Sequence, residues 1–85
     1  MGHIGALHPL KKWRLKKKLT AGDVSALIEA RGFKFKKRTV ISVEDGYRHP
    51  AYDVCEAIQN ITDSEVTIAE LRHWPLRMQQ GRAAS

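Results

Sequence analysis

Two groups of cationic side chains are the residues of this sequence best suited to bind a charged partner. They lie at residues 11–18 and 31–38. Ammonium and guanidinium groups bind phosphate oxygens, and a guanidinium can form two parallel hydrogen bonds. Residues 1–38 carry eleven Lys and Arg against two acidic residues, whereas residues 39–85 carry four against seven. This split favours nucleic acid as partner, with an anionic membrane surface second and a merely solvated surface as the alternative.

Groups that could perform catalysis or bind a metal ion are few and unsuitably spaced. The histidines lack metal-ligand spacing with one another or with the single cysteine, Cys55. They are His3, His8, His49 and His73. Cys55 follows the apolar Val54, which favours a small packing residue over a nucleophile, and no glycine-rich phosphate loop is present. We therefore expect no enzyme activity, no cofactor and no metal.

The length and composition indicate one small domain. The 85 residues, 42% apolar and 28% charged, suit a single core. No apolar run approaches the roughly 20 residues that cross a bilayer, and the N-terminus lacks the charged start of a signal peptide. With one cysteine, a reducing, cytoplasmic location is expected. We expect a flexible N-terminal segment over 1–8, a folded domain over 9–73 and a partly disordered tail over 74–85.

Start and stop signals in the first half of the chain predict two short helices. Pro9 suits the first position of a helix over 9–18. Thr20 and Asp23 have the spacing of a capping box, which would open a second helix that ends at Gly32. The residues expected to face the core are Leu10 and Trp13 in the first helix, and Val24, Leu27 and Ile28 in the second.

Three more helices are predicted after residues 33–36, whose sequence does not clearly favour one secondary structure. Residues 33–36 alternate Phe and Lys, and a loop is preferred to a short strand because no partner strand is apparent. A third helix over 37–45 ends at Gly46, which suits a left-handed cap. A fourth spans 50–60, and a capping box at 67–70 opens a short fifth. The core residues of the third and fourth helices are Val40, Val43, Val54 and Ile58.

The segment over residues 19–50 carries a recurrent pattern of residue types. It resembles the Cro/repressor family of phage and bacterial helix-turn-helix regulators, in which L-T-Q-x-x-L-A-x-x-L precedes S-x-x-T-I-S-x-I-E-N-G-x-x-x-P. The matching residues are Leu19, Thr20, Val24, Ile28, Thr39, Val40, Val43, Glu44, Gly46 and Pro50. Ala21 replaces the usual Gln, Asp45 the usual Asn, and about five extra residues precede Lys36. The resemblance covers about 9–72 and implies an all-α, lambda-repressor-like bundle of five short helices.

The same resemblance makes the third helix a recognition helix in the DNA major groove. It implies base contacts from Lys37, Arg38 and Ser42, with Thr39 taking part if the inserted residues shift the register. A solvated charge run is the alternative for Lys37 and Arg38. Ile41 also points away from the core; burial against the inserted loop is preferred to contact with a thymine methyl group.

Phosphate contacts are expected from helix ends and basic turns. The candidates are Thr20, Lys36, Tyr47, Arg48 and His49. A capping role alone is the alternative for Thr20, and a packing role alone for Tyr47. The family also pairs an Arg of its first helix with the Glu before the glycine cap. This implies a structural clamp between Arg14 and Glu44, which would hold the first helix against the end of the third.

Together these features predict a sequence-specific regulator, a repressor, that binds a double-stranded DNA operator. A homodimer is expected, with Trp74, Leu76 or the last helix at its interface. The alternative is an antitoxin or accessory protein-interaction module that keeps this fold, with a protein partner at the apolar segment 73–78. A binder of RNA or of a membrane surface is the third hypothesis, although the first helix lacks the broad apolar face that membranes require.

Overall fold

Five helices form the regular secondary structure of residues 7–76, the range that the computed structural model describes. The helices are α1 (Pro9–Lys16), α2 (Ala21–Glu29), α3 (Lys37–Glu44), α4 (Tyr52–Ile61) and α5 (Ile68–Arg72). The predicted all-α fold with five short helices is confirmed. Most of the expected terminal segments, residues 1–6 and 77–85, lies outside the described range. Within that range no helix is both long and apolar enough to cross a bilayer.

Side chains cap three of the five helix N-termini. In α2, Thr20 Oγ1 accepts from the Asp23 amide at 3.0 Å and the Asp23 carboxylate accepts from the Thr20 amide at 2.9 Å. The same reciprocal box opens α5 over residues 67–70. Both predicted capping boxes are thus confirmed. α1 is capped by His8, which was not predicted. Nδ1 of this buried side chain accepts a hydrogen bond from the Leu10 amide at 3.1 Å.

Three helix boundaries differ from the prediction by two residues or more. α2 stops at Glu29 and not at Gly32, because residues 30–32 form a turn that ends in the left-handed Gly32. α1 stops at Lys16 because Lys18 adopts the left-handed region with φ 61, which ends the helical hydrogen-bond ladder. α4 begins at Tyr52 and not at Pro50, whose carbonyl accepts from Arg72 Nη1 at 2.8 Å instead of from a helical amide. The end of α3 agrees with the prediction, since Gly46 has φ 83 directly after the cap.

The core lies where α1 bridges two helix pairs that are adjacent in sequence. α2 packs on α3, α4 packs on α5 and on α2, and α1 contacts both α3 and α5. The core cluster is apolar and includes Leu10, Trp13, Val24, Ile28, Phe35, Val40, Val43, Val54, Cys55, Ile58, Val66 and Leu71. Burial raises the pKa of the Cys55 thiol, which suits a packing residue more than a nucleophile.

α2 presents a different face to the core from the one predicted. Ala21, Val24, Ser25 and Ile28 are buried, whereas Leu27 is 38% exposed, so the assignment of Leu27 to the core was wrong. The physical reason is a hydrogen bond. The buried Ser25 hydroxyl donates a hydrogen bond to the Phe35 carbonyl at 2.6 Å, so neither polar group lacks a partner inside the protein. Holding Ser25 inward turns Leu27 toward solvent.

Candidate nucleic-acid interface

The connection between α2 and α3 is a loop held in place by one buried residue. Residues 33–36 form no strand, as expected, and Gly32 turns the chain with φ 96. Phe35 is buried in the core and its carbonyl is bonded to Ser25 Oγ. Its neighbours Lys34 and Lys36 are exposed. The alternation of Phe and Lys therefore anchors the loop inward and directs its cations outward, directly before α3.

α3 has two chemically distinct faces. Val40 and Val43 are completely buried and Glu44 is nearly so. On the opposite side the structure places most of the residues predicted to contact bases. Lys37 and Arg38 are exposed in the first turn, and Thr39 and Ser42 are half-buried. The helix therefore offers two cations near its N-terminus while its inner residues fix it in place.

Arg14 and Glu44 form the salt bridge that the resemblance implied. Arg14 Nε and Nη2 donate to the two Glu44 carboxylate oxygens, each at 2.9 Å, and Nη1 donates to the Leu19 carbonyl at 3.2 Å. The side chains are 14% and 3% exposed. The hydrogen bonds that Arg14 donates to Glu44 raise the pKa of Arg14 above its ordinary value. This bidentate pair ties α1 to the last residue of α3 and so sets the angle at which α3 lies.

The N-terminus of α3 is open, in contrast to that of α2. Lys36 occupies the cap position in an extended conformation, and no side-chain hydrogen bond caps the helix. The Lys36 ammonium lies 4.0 Å from Glu29, with both side chains exposed. A helix N-terminus carries a partial positive charge and orients amide groups toward an anion. The first turn of α3 thus combines backbone and side-chain groups that favour phosphate.

The remaining phosphate candidates differ in exposure and in whether their side chains already form hydrogen bonds. Thr20 is exposed but its hydroxyl already caps α2. Tyr47 and Arg48 are exposed in the turn after Gly46. His49 differs from them because its Nε2 donates to the Trp74 carbonyl at 2.6 Å and its side chain is half-buried. That nitrogen is engaged in holding the C-terminal segment and is not free for a phosphate oxygen.

Ile41 lies on the exposed face of α3. Its side chain is 41% exposed, so the expectation that the inserted loop would bury it was wrong. The loop places Phe35 in the core and leaves Phe33 half-buried, which directs its apolar surface beneath the helix and not over it. An apolar side chain is consequently left beside Lys37 and Arg38 on the surface.

A groove of about 640 Å³ lies between α1 and the segment around α5. Its apolar lining includes Trp13, Pro9 and Trp74, and its rim includes Lys12 and Glu70. Within the segment 73–78, predicted as a surface for a protein partner, Trp74 is half-buried with its ring 5.1 Å from that of His8, and residues 77 and 78 lie outside the described range. Leu76 remains exposed. Nothing in the local sequence pattern indicates the contact with His8, because the two residues lie at opposite ends of the described range.

The loop cations Arg31 and Lys34 are exposed and were not among the predicted site residues, although the alternation of Phe and Lys is a pattern from which the outward direction of Lys34 could have been predicted.

Among residues 7–76 no cluster of His, Cys, Asp or Glu could hold a metal ion. No protein-family model, curated protein or solved structure matches this chain.

Proposed function

We propose that this chain is a sequence-specific regulator of transcription, a repressor of the Cro/repressor type, with α3 as its recognition helix. The observation that carries the proposal is the division of α3 into a clamped inner face and an exposed cationic face at an uncapped N-terminus. An α-helix fits the DNA major groove, and its N-terminal residues are the ones that contact base edges in helix-turn-helix proteins.

Base contacts are assigned to the first two turns of α3. Arg38 presents a guanidinium that can bind O6 and N7 of a guanine, and Lys37 can bind the same acceptors with a single ammonium. Ser42 and Thr39 are half-buried and offer short hydroxyl groups at the edge of this surface. The Arg14–Glu44 pair supports specificity because it holds α3 at one angle, and base contacts require that the helix enter the groove in a fixed orientation.

Phosphate contacts are assigned to the groups that flank α3. Lys36 and the open N-terminus of the helix lie on one side, and Tyr47 and Arg48 lie beyond its C-terminal cap. Thr20 provides a further position, since its hydroxyl accepts from the Asp23 amide and keeps its own proton to donate to a phosphate oxygen. Contacts of this kind fix the register of a protein on the duplex without contributing sequence information. His49 is left out because its Nε2 is bonded to Trp74.

A homodimer on an inverted repeat completes the proposal, since one eight-residue helix offers few base contacts. The half-sites would be about one helical turn, roughly 34–36 Å, apart. Such a protein acts on DNA in the cytoplasm. The exposed Leu76 and the groove beside Trp74 are the surfaces proposed for the second copy.

The test is a selection from random-sequence duplex DNA followed by binding titrations at several salt concentrations. We expect one preferred duplex with an inverted repeat. If the dimer contacts about six to ten phosphates, log K should fall against log salt with a slope of about −0.9 per phosphate. A slope near zero would exclude DNA as the main partner. A steep slope without any preferred duplex would indicate a general polyanion binder.

A protein-interaction module, such as an antitoxin or accessory subunit, is the second candidate. The observation that favours it is the apolar groove between α1 and α5, where Trp13 and Trp74 lie beneath a charged rim. This candidate predicts that a stoichiometric protein partner copurifies with the chain, and that Trp74→Ala abolishes copurification without altering DNA binding.

A further inference from the structure

Ile41 is an apolar side chain on the face of α3 proposed to meet DNA. It is 41% exposed, and Lys37 and Arg38 on the same helix are exposed as well. Lone exposed apolar residues are common on protein surfaces and by themselves need no explanation. Ile41 differs in its position, because the exposed cations Lys37 and Arg38 lie one helical turn before it and are its neighbours on α3.

The geometry of α3 determines where the Ile41 side chain can reach. Lys37 and Ile41 are four residues apart and thus neighbours on one side of the helix. Side chains of an α-helix tilt toward its N-terminus, so Ile41 leans toward the turn that holds Lys37 and Arg38. Val40 and Val43 are buried, which prevents the helix from rotating Ile41 into the core. Any partner that binds the two cations must therefore also cover this branched apolar group.

The chemistry of this surface selects one component of DNA. A partner must supply anionic or electron-rich acceptors for Lys37 and Arg38 and an apolar group for Ile41. In the major groove only thymine combines a base-edge acceptor with a methyl group, and the methyl is what distinguishes it there from cytosine and from uracil. We propose that Ile41 contacts the C5-methyl group of a thymine next to the base pairs bound by Lys37 and Arg38, an inference that rests on the proposed function.

The test removes the methyl group without changing base pairing. The duplex recovered by random-sequence selection is prepared with deoxyuridine in place of thymidine, one position at a time, and binding of the full chain is measured by fluorescence anisotropy. At one position of each half-site we expect the wild-type protein to lose about fourfold in affinity, as for burial of one methyl group. Ile41→Ala should bind the thymidine and deoxyuridine duplexes equally at that position.

Two further variants keep the result interpretable. Ile41→Val retains a branched side chain and should keep part of the sensitivity to deoxyuridine. Leu15→Ala is the matched control, since Leu15 is a 49% exposed apolar residue on α1 and should leave the fourfold loss unchanged. Circular dichroism checks that each variant is folded, and sedimentation in the absence of DNA checks its oligomeric state.

The outcomes separate this inference from the function on which it rests. A preferred duplex whose deoxyuridine copies all bind like the parent overturns the methyl contact while the proposed function stands. Equal sensitivity to deoxyuridine in the wild type and in Ile41→Ala overturns it too, and a changed oligomeric state in that variant would then assign Ile41 to a protein contact. A selection with no preferred duplex overturns both.

Discussion

The two faces of α3 differ in what holds their side chains. On the inner face Val40 and Val43 are packed on all sides, and Glu44 is bound through both carboxylate oxygens to Arg14. On the outer face Lys37 and Arg38 are exposed and the helix start has no side-chain cap. One short helix is thus fixed through one side while its other side stays accessible to a ligand. Substitutions on the inner face should change stability, and those on the outer face should change binding.

The largest expected effect tests the inner face. Glu44→Ala leaves the Arg14 guanidinium, only 14% exposed, without its carboxylate, and we expect a loss of about 3 kcal/mol or more in unfolding free energy. Urea denaturation measures it. Glu65→Ala is the control because Glu65 pairs with Lys16 in an exposed salt bridge, whose removal should barely move the midpoint. Equal losses of unfolding free energy in the two variants would contradict the prediction that the buried salt bridge stabilises the fold more than the exposed one.

The second prediction tests the outer face. Arg38→Ala should reduce the free energy of DNA binding by about 1–3 kcal/mol and relax the preference at one base position. Lys37→Ala should act in the same way but less, because an ammonium discriminates between bases less than a guanidinium does. Anisotropy titrations with a panel of single-base duplex variants measure both effects. Neither substitution should change the urea midpoint, and a stability loss comparable to that of Glu44→Ala would remove the division between the faces.

Acidification should weaken the N-terminal cap of α1 and leave both faces of α3 unchanged. The pKa of His8 is lowered from 6.5 to about 4, mainly by burial and also by nearby His49, while Glu70 opposes the shift. The folded protein therefore binds fewer protons than the unfolded chain between these two values. The stability contributed by neutral His8 is full above pH 6.5 and is lost as the pH falls toward 4.

Denaturation of the wild type and of His8→Asn across this pH range isolates the effect. Asn keeps a side-chain acceptor that can cap α1 and does not titrate. The variant should therefore lose less stability on acidification than the wild type. Parallel pH profiles would show that His8 is not the titrating group.

The smallest expected effect concerns cations on α1 that lie outside the proposed contact surface. Lys11→Ala and Lys12→Ala should weaken binding to all duplexes by a similar small factor, since they contribute only to the long-range field of the basic half. Each removes one positive charge, as Lys37→Ala does, so net charge is matched. A change in base preference in either variant would show that residues of α1 also contact bases.

The sequence predicted the parts of the fold that depend on local patterns. The box formed by Thr20 and Asp23 lies within four residues, and the glycine cap at Gly46 depends on one backbone angle. Leu27 was misassigned because periodicity weighs apolar residues only. Ser25, a small polar residue, is buried through its bond to the Phe35 carbonyl, ten residues away. Periodicity carries no information about such a partner.

The candidate site was predictable in outline but not in its details. The resemblance located Lys37, Arg38 and the Arg14–Glu44 pair. It could not show that Ile41 stays exposed, because this depends on where the inserted loop packs. The engagement of His49 with Trp74 was equally inaccessible, since the two residues are 25 positions apart and meet only in the folded chain.

The position of α1 has a consequence for the order in which the chain folds. The pairs α2–α3 and α4–α5 are joined by short connections, so each can pack with a small entropic cost of loop closure. α1 is bound through contacts that span 30 residues to Glu44 and 49 residues to Glu65. Contacts of high sequence separation form late in small proteins. α1 is therefore the helix of this bundle that we expect to dock last, after the α2–α3 and α4–α5 pairs provide its binding surface.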